Sequence, residues 1–181
     1  MPDPDDAAEA LFEKLIAEQQ GRRLPPVDQW RPAQVGRIDI RIARDGSWHH
    51  EGDPIRREAM VTLFSTILRR EGDQHFLVTP VEKLAIDVEL CAFVATALEV
   101  SGEGGDQRLL LTTNVGDHVL VDASHPLAMR ETSEGPVPVL HVRDGLEALV
   151  SRPVYYRLAD LAADQDGRTG LHSCGTFFPL T

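Results

Sequence analysis

The stretch "IARDGSWHHEGDP", residues 42–54, has a counterpart in "HVRDGLEALVSRP", residues 141–153, and no other feature constrains the fold as tightly. In both, an Arg-Asp-Gly turn signal is followed by a proline eight residues after the glycine: Gly46 to Pro54, and Gly145 to Pro153. A strand precedes each turn. Ile38, Ile40 and Ile42 alternate with Arg37, Asp39 and Arg41, and Val137, Val139 and His141 occupy the same register in the second copy. Each copy then continues as a returning strand and a helix opened by its proline. A strand–turn–strand–helix unit of roughly 30 residues cannot bury both its helix face and its sheet face alone, whereas two extended copies can. The expected fold is therefore α+β with a duplicated strand–turn–strand–helix core. Residues 1–21 form an acidic N-terminal helix or tail, 22–90 a smaller α+β half, and 91–181 a larger β-rich half with one helix.

Charge narrows the partners. The 181-residue chain carries a formal net charge of −11, and its first twenty residues hold six carboxylates against Lys14 alone. Such a field repels DNA and RNA, so nucleic acid is not an expected partner. No apolar run approaches the roughly 18 residues of a membrane span, and the acidic start is unlike a secretory signal. A cytoplasmic protein without membrane contact is the expectation. Cys91 and Cys174 stand 83 residues apart with no CxxC, which argues against a zinc or redox motif. Cys174, in "SCGTFF", is the thiol to test for reactivity.

Along the chain, residues 6–20 read as a helix with Ala10, Leu11, Leu15 and Ile16 at helical spacing, capped by Asp5 or Asp6. "GRRLPPVDQWRP" is a linker or an extended wrap. In the first copy Asp53-Pro54 opens a helix whose stripe is Met60, Leu63, Phe64, Ile67 and Leu68, ended by Gly72. "HFLVTPVEKLAIDVE" supplies one or two strands, and residues 93–142 read as all-β, with a hairpin turning at Asn114–Asp117. In the second copy the helix carries Val154, Leu158, Leu161 and Ala162. Gly167 and Gly170 end it, and "GLHSCGTFFPL" is a last strand.

"GRIDIRIARDGSWHHEGDPIRREAMVTLFSTILRREGDQHFLVTPVEKLAIDVE", "TTNVGDHVLVDASHPL", "HVRDGLEALVSRPVYYRL" and the closing "FFPL", in that order, resemble the bacterial domain-of-unknown-function family 1285. The likeness runs from about Gly36 to the C-terminus and leaves the acidic helix outside. It implies a duplicated core whose C-terminal half superficially resembles pleckstrin-homology-like folds. It further implies a ligand site at the domain interface, for a nucleotide-type molecule, and a role in signal transduction with a signalling protein as partner. No activity comes with the resemblance.

The chemical candidates follow from residue types. Thr79, Glu82 and Lys83 stand just after a proline kink where the chain leaves the first half, and ligand sites favour domain junctions. Lys83 and Asp87 share a strand face and read as a surface ion pair. His141 replaces an apolar strand position, so its imidazole is either a satisfied core histidine or a cleft donor and proton shuttle. Arg143 and Arg152 have the fork that suits phosphate or carboxylate, while Tyr155 and Trp48 offer flat surfaces for a base. His49 and Glu51 share one strand face while His50 points to the other, and two ligands from one strand need partners that nothing in the sequence announces, so a polar strand face is expected rather than a metal site. No metal, cofactor or catalytic signature is expected; "TTNVGD" lacks the lysine of a P-loop, and GxSxG, HExxH and GxGxxG are absent.

The expected function is a binding or signal-transduction module with a small anionic, nucleotide-like ligand between its halves. Two alternatives stand beside it. One is a hydrolase pairing His141 with a carboxylate such as Glu82; the other is a protein-interaction scaffold using exposed edge strands.

Overall fold

The computed structural model describes residues 4–181 and shows a mixed α+β chain with two β-rich halves. Helix α1 (Pro4–Gly21) opens it. The N-terminal half then contains β1 (Gln34–Ile42), β2 (Trp48–His50), β3 (Asp53–Pro54), α2 (Glu58–Thr66), β4 (Leu68–Glu71), β5 (Gln74–Val78) and β6 (Glu82–Val88). The C-terminal half contains β7 (Phe93–Ser101), a 3-10 turn at Gly104–Asp106, β8 (Arg108–Thr113), β9 (His118–Leu120), β10 (Leu127–Arg130), β11 (Val137–Arg143), β12 (Leu146–Val150) and α3 (Arg152–Asp160). It closes with β13 (Ala163–Gln165), β14 (Arg168–Ser173) and β15 (Thr176–Pro179). No helix among the described residues is long and apolar enough to cross a membrane.

Two compact units emerge. One comprises Arg23–Phe93 with Asp144–Leu146; the other takes α1 and Arg22, Val94–Arg143 and Glu147–Thr181. The first is built on a six-stranded sheet in the order β3-β2-β1-β6-β5-β4, where β1 and β6 run parallel and their register shifts between Arg37 and Arg41. Its core holds Ile40, Ile42, Trp48, Leu68, Leu77, Val78 and Ile86. The second has a curled sheet in the order β10-β11-β12-β7-β8-β9 and a three-stranded sheet β13-β14-β15. Leu98, Leu109, Leu111, Leu140, Ala148, Leu158 and Leu171 line its core.

The two Arg-Asp-Gly motifs make different turns, and one residue separates them. In the first, Ala43 accepts from the Gly46 N–H at 2.9 Å and donates to Ser47 O at 2.8 Å. Only Gly46 takes a positive φ, 88°, and Asp45 binds the Ser47 N–H at 2.9 Å. This is a three-residue loop with a glycine bulge. In the second, Asp144 (φ 48°) and Gly145 (φ 78°) are both left-handed, the two-residue hairpin turn. A one-residue difference flips a strand's faces. The buried positions flanking the turn are therefore Ile40, Ile42 and Trp48 in the first copy, but Leu140, Val142, Leu146 and Ala148 in the second. His141, the sequence counterpart of Ile42, is turned off the inward face.

Four local expectations are corrected. Asp53 and Pro54 form β3, and α2 starts only at Glu58. α2 also ends at Thr66 rather than Gly72: Ser65 and Thr66 donate to the carbonyls of Thr62 and Leu63, which competes with the helix. Leu68 instead pairs with Leu77 across a β4–β5 hairpin turning at Gly72 (φ 60°). Gly167 and Gly170 do not end α3. Gly167 turns β13 into β14, and Gly170 lies within β14 opposite Pro179, so the final segment is a hairpin rather than one strand. A Cβ on Gly170 would stand 2.3 Å from Phe178 O and 2.8 Å from Pro179 Cα. Gly170→Ala is therefore expected to lower stability by about 1–3 kcal/mol or more. Gly105→Ala, which meets nothing within 4 Å, should leave the urea midpoint in place.

α1 docks on the C-terminal unit through Phe12, fully buried, while Leu11 remains 43 % exposed. Arg108 lies over the Phe12 ring at 4.7 Å and pairs with Glu9 and Glu13 at 2.7 Å each. Phe12 supplies about 1.5–3 kcal/mol of docking, and each exposed ion pair under about 1 kcal/mol.

Candidate functional site

The helix α3 begins without the devices that normally neutralise a helix start. Ser151 is extended (φ −63°, ψ 154°) and its side chain makes no capping bond. No acidic residue occupies the first turn, and Pro153, lacking an N–H, sits there at no cost in hydrogen bonds. The first residue is Arg152, whose guanidinium has neither hydrogen bond nor ion pair among the described residues. A cation at the positive end of a helix dipole is unfavourable by a few tenths of a kcal/mol, and an anion placed there is correspondingly favoured. Val154 and Leu158 bury the opposite face and anchor the helix, as does Arg157, which donates to Leu98 O at 2.8 Å. Tyr155 and Tyr156 follow Arg152 at i+3 and i+4, the positions that share its face. Tyr155 is half-buried, and Tyr156 is 61 % exposed. A guanidinium fork, an uncapped helix start and two tyrosines thus lie on one surface of one short helix.

The other arginine named from the sequence is occupied. Arg143 donates to Asp117 Oδ2 at 2.8 Å, and Arg22, just beyond α1, donates to Oδ1 at 2.8 Å. Asp117 is completely buried, so the two cations neutralise a carboxylate removed from bulk solvent. The Asp117 N–H further donates to Thr113 Oγ1 at 3.1 Å. Sequence reading saw Asp117 only as a hairpin residue and missed Arg22. The signal present was the acid after Gly116 in "TTNVGD", which cannot disclose a partner 95 residues away. His141 faces Ser124: its Nδ1 lies 3.2 Å from the Ser124 carbonyl, which can only accept, so Nδ1 carries a proton. Its ring centroid is 6.3 Å from that of His125.

The remaining candidates belong to the N-terminal unit. Trp48 is 1 % exposed and stacked on Phe64 at 6.2 Å, a core residue rather than an open surface. Thr79 Oγ1 accepts the N–H of Val81 at 3.3 Å and of Glu82 at 3.1 Å, which closes the turn into β6. Lys83 does not pair with Asp87. Four strand residues span about 13 Å, and the sheet gives each a nearer partner: Glu71 for Lys83 at 2.9 Å, Arg37 for Asp87 at 2.6 Å. Lys83 also stands 4.6 Å above the Phe76 ring. The Lys83 and Arg69 bonds hold the Glu71 carboxyl below its ordinary range. That contribution is complete above the usual carboxylate pKa and fades as pH falls through the lower folded-state value. Glu82, the proposed partner of His141, starts β6 of this unit, whereas His141 lies on β11 of the other. No group of three or more metal-ligating side chains occurs among the described residues.

Comparison with known proteins places the chain. The model of the N-terminal domain of the domain-of-unknown-function family DUF1285 matches residues 25–90, and that of its C-terminal domain matches residues 92–180. The crystal structure of a DUF1285 family protein from Silicibacter pomeroyi is 48% identical, with a TM-score of 0.84, over 92% of this chain and 94% of that one. A second, from Shewanella baltica, is 26% identical with a TM-score of 0.52, over 67% of this chain and 90% of that one. No curated protein matches. Both domains matched in order, with such identity over nearly all of a solved relative, make this chain a member of the DUF1285 family, whose proteins are of unknown function.

Proposed function

We propose that this protein is a ligand-binding module for signal transduction whose ligand is a small anionic, nucleotide-like molecule seated at the start of α3. The observation that supports it is Arg152, a guanidinium without a partner among the described residues, at a helix start that has no acid in its first turn and no side-chain cap. Phosphate oxygens fit both the fork and the first-turn amides. The exposed ring of Tyr156 and the half-buried ring of Tyr155 offer a base or sugar a flat apolar surface beside that charge. In a chain of net charge −11, an anion is repelled elsewhere, so binding depends on this local cation. Occupancy would then be read by a protein partner that meets the loaded helix.

Thermal-shift measurement against mononucleotides, dinucleotides and common anionic metabolites tests the reading. A ligand at a hundredfold excess over its Kd stabilises by about 2.7 kcal/mol, which for a chain of this length raises Tm by roughly 5–10 °C. Arg152→Ala is expected to abolish that rise while leaving the unliganded Tm within about 1 °C, since Arg152 is exposed. A rise that survives Arg152→Ala moves the site off α3, and no rise across the panel refutes the ligand class.

A further inference from the structure

We propose that the surface beneath α1 is a docking site for an acidic amphipathic helix of a partner protein, and that α1 covers it as an internal stand-in. α1 is separable from the unit on which it packs. It lies before the residues matched by both family domains, and the chain passes from it through Arg22 and the proline-rich segment 23–32 into the other unit. Lifting it therefore interrupts no strand of either sheet. Among its described residues Phe12 alone is buried, and its C-terminal end is held through Arg22, which pairs with the buried Asp117.

The seat shows which chemistry it accepts. Arg108 meets Glu9 and Glu13 while its guanidinium covers the Phe12 ring, so one cation reads a Glu-x-x-Phe-Glu pattern on three sides. Ser101 donates to Glu9 as well. One or two helical turns further on, the His118 N–H donates to Gln19 Oε1 at 2.8 Å, and His118 Nε2 lies 3.6 Å from Glu18. The surface thus presents an aromatic socket, a clamping arginine and a line of donors spaced for carboxylates of a helix. A basic or purely apolar helix would leave Arg108 without a counter-charge. The proximity of Glu13 and Glu9 raises the Arg108 pKa further, so the clamp is charged at every physiological pH.

The experiment uses the full chain and a fluorescent peptide of residues 4–21, whose fit to the seat is seen in the structure. Phe12→Ala in the protein frees the seat, and the peptide is expected to bind this variant about tenfold more tightly than wild type, because covalent α1 no longer competes. Adding Arg108→Glu is expected to remove binding, as is scrambling the peptide. Equal affinity for wild type and Phe12→Ala, or binding that survives Arg108→Glu, overturns the proposal. If Phe12→Ala fails to fold, Glu9→Gln with Glu13→Gln loosens α1 from the surface side and should raise peptide affinity about threefold; no rise overturns it. A wild-type dimer that forms with concentration and disappears in the loosened variant assigns the seat to a second copy's α1 and equally overturns the partner reading.

Discussion

Asp117→Ala is expected to destabilise the protein by about 3–5 kcal/mol, the cost of removing one member of a buried ionic group. For a chain of this length that lowers Tm by roughly 6–20 °C. The reason is asymmetric. The carboxylate is fully buried, and the Arg22 and Arg143 side chains are only 20% and 17% exposed, so deleting the anion strands two nearly dehydrated cations. Deleting one arginine leaves the other in place and should cost less. A double-mutant cycle over Asp117 and Arg143 separates the pairwise coupling from other losses. Because Arg22 directly follows α1, hydrogen exchange in α1 should accelerate in Asp117→Ala. A Tm within about 2 °C of wild type would show that water reaches this carboxylate.

Trp48→Ala is expected to cost a further large amount, about 3–5 kcal/mol, as a buried aromatic truncated in a packed core. Trp48→Phe is the informative partner. It keeps a ring against Phe64 and deletes an indole N–H that is buried without a hydrogen-bond partner among the described residues. Removing an orphaned donor relieves its desolvation cost, so Trp48→Phe should sit within about 1.5 kcal/mol of wild type, far closer than Trp48→Ala. Both are read from urea midpoints at constant m. Should Trp48→Phe be as damaging as Trp48→Ala, the Nε1 proton has a partner in solution and Trp48 belongs to a polar network.

The Arg-Asp-Gly repeat was legible because turn chemistry and strand alternation are local. Arg-Asp-Gly with apolar residues at every second position announces a hairpin wherever it occurs, and Ser151-Arg152-Pro153 announces a helix start. What the repeat concealed is that glycine permits two turns. Asp144 adopts a left-handed φ and Asp45 does not, and that choice rests on which face of each strand meets a core. The same limit explains α2. Met60, Leu63, Phe64 and Ile67 form a helical stripe, yet Leu63 is 62 % exposed and Leu68 leaves for a strand, because β5 outbids the helix for that residue. Among the candidate ligand residues, Arg152 and Tyr155 were legible as a pair since one helix turn holds them. Asp117 was not, because a carboxylate's partners at positions 22 and 143 come from distant chain.

By itself, then, the sequence determined what depends on near neighbours: two Arg-Asp-Gly hairpins, the run of strands from 93 to 142, the helix that starts after Ser151, and an N-terminal helix, although Asp5 and Asp6 lie inside its first turn rather than capping it. The tertiary structure alone decided which arginine is spent and which is open. Arg143 and Arg152 are nine residues apart and chemically identical, but one is drawn to a buried carboxylate and the other stands at a helix start with no hydrogen bond or ion pair among the described residues. Burial makes that difference, because a charge removed from water must find its partner wherever the fold brings one, and sequence distance carries no information about where that is.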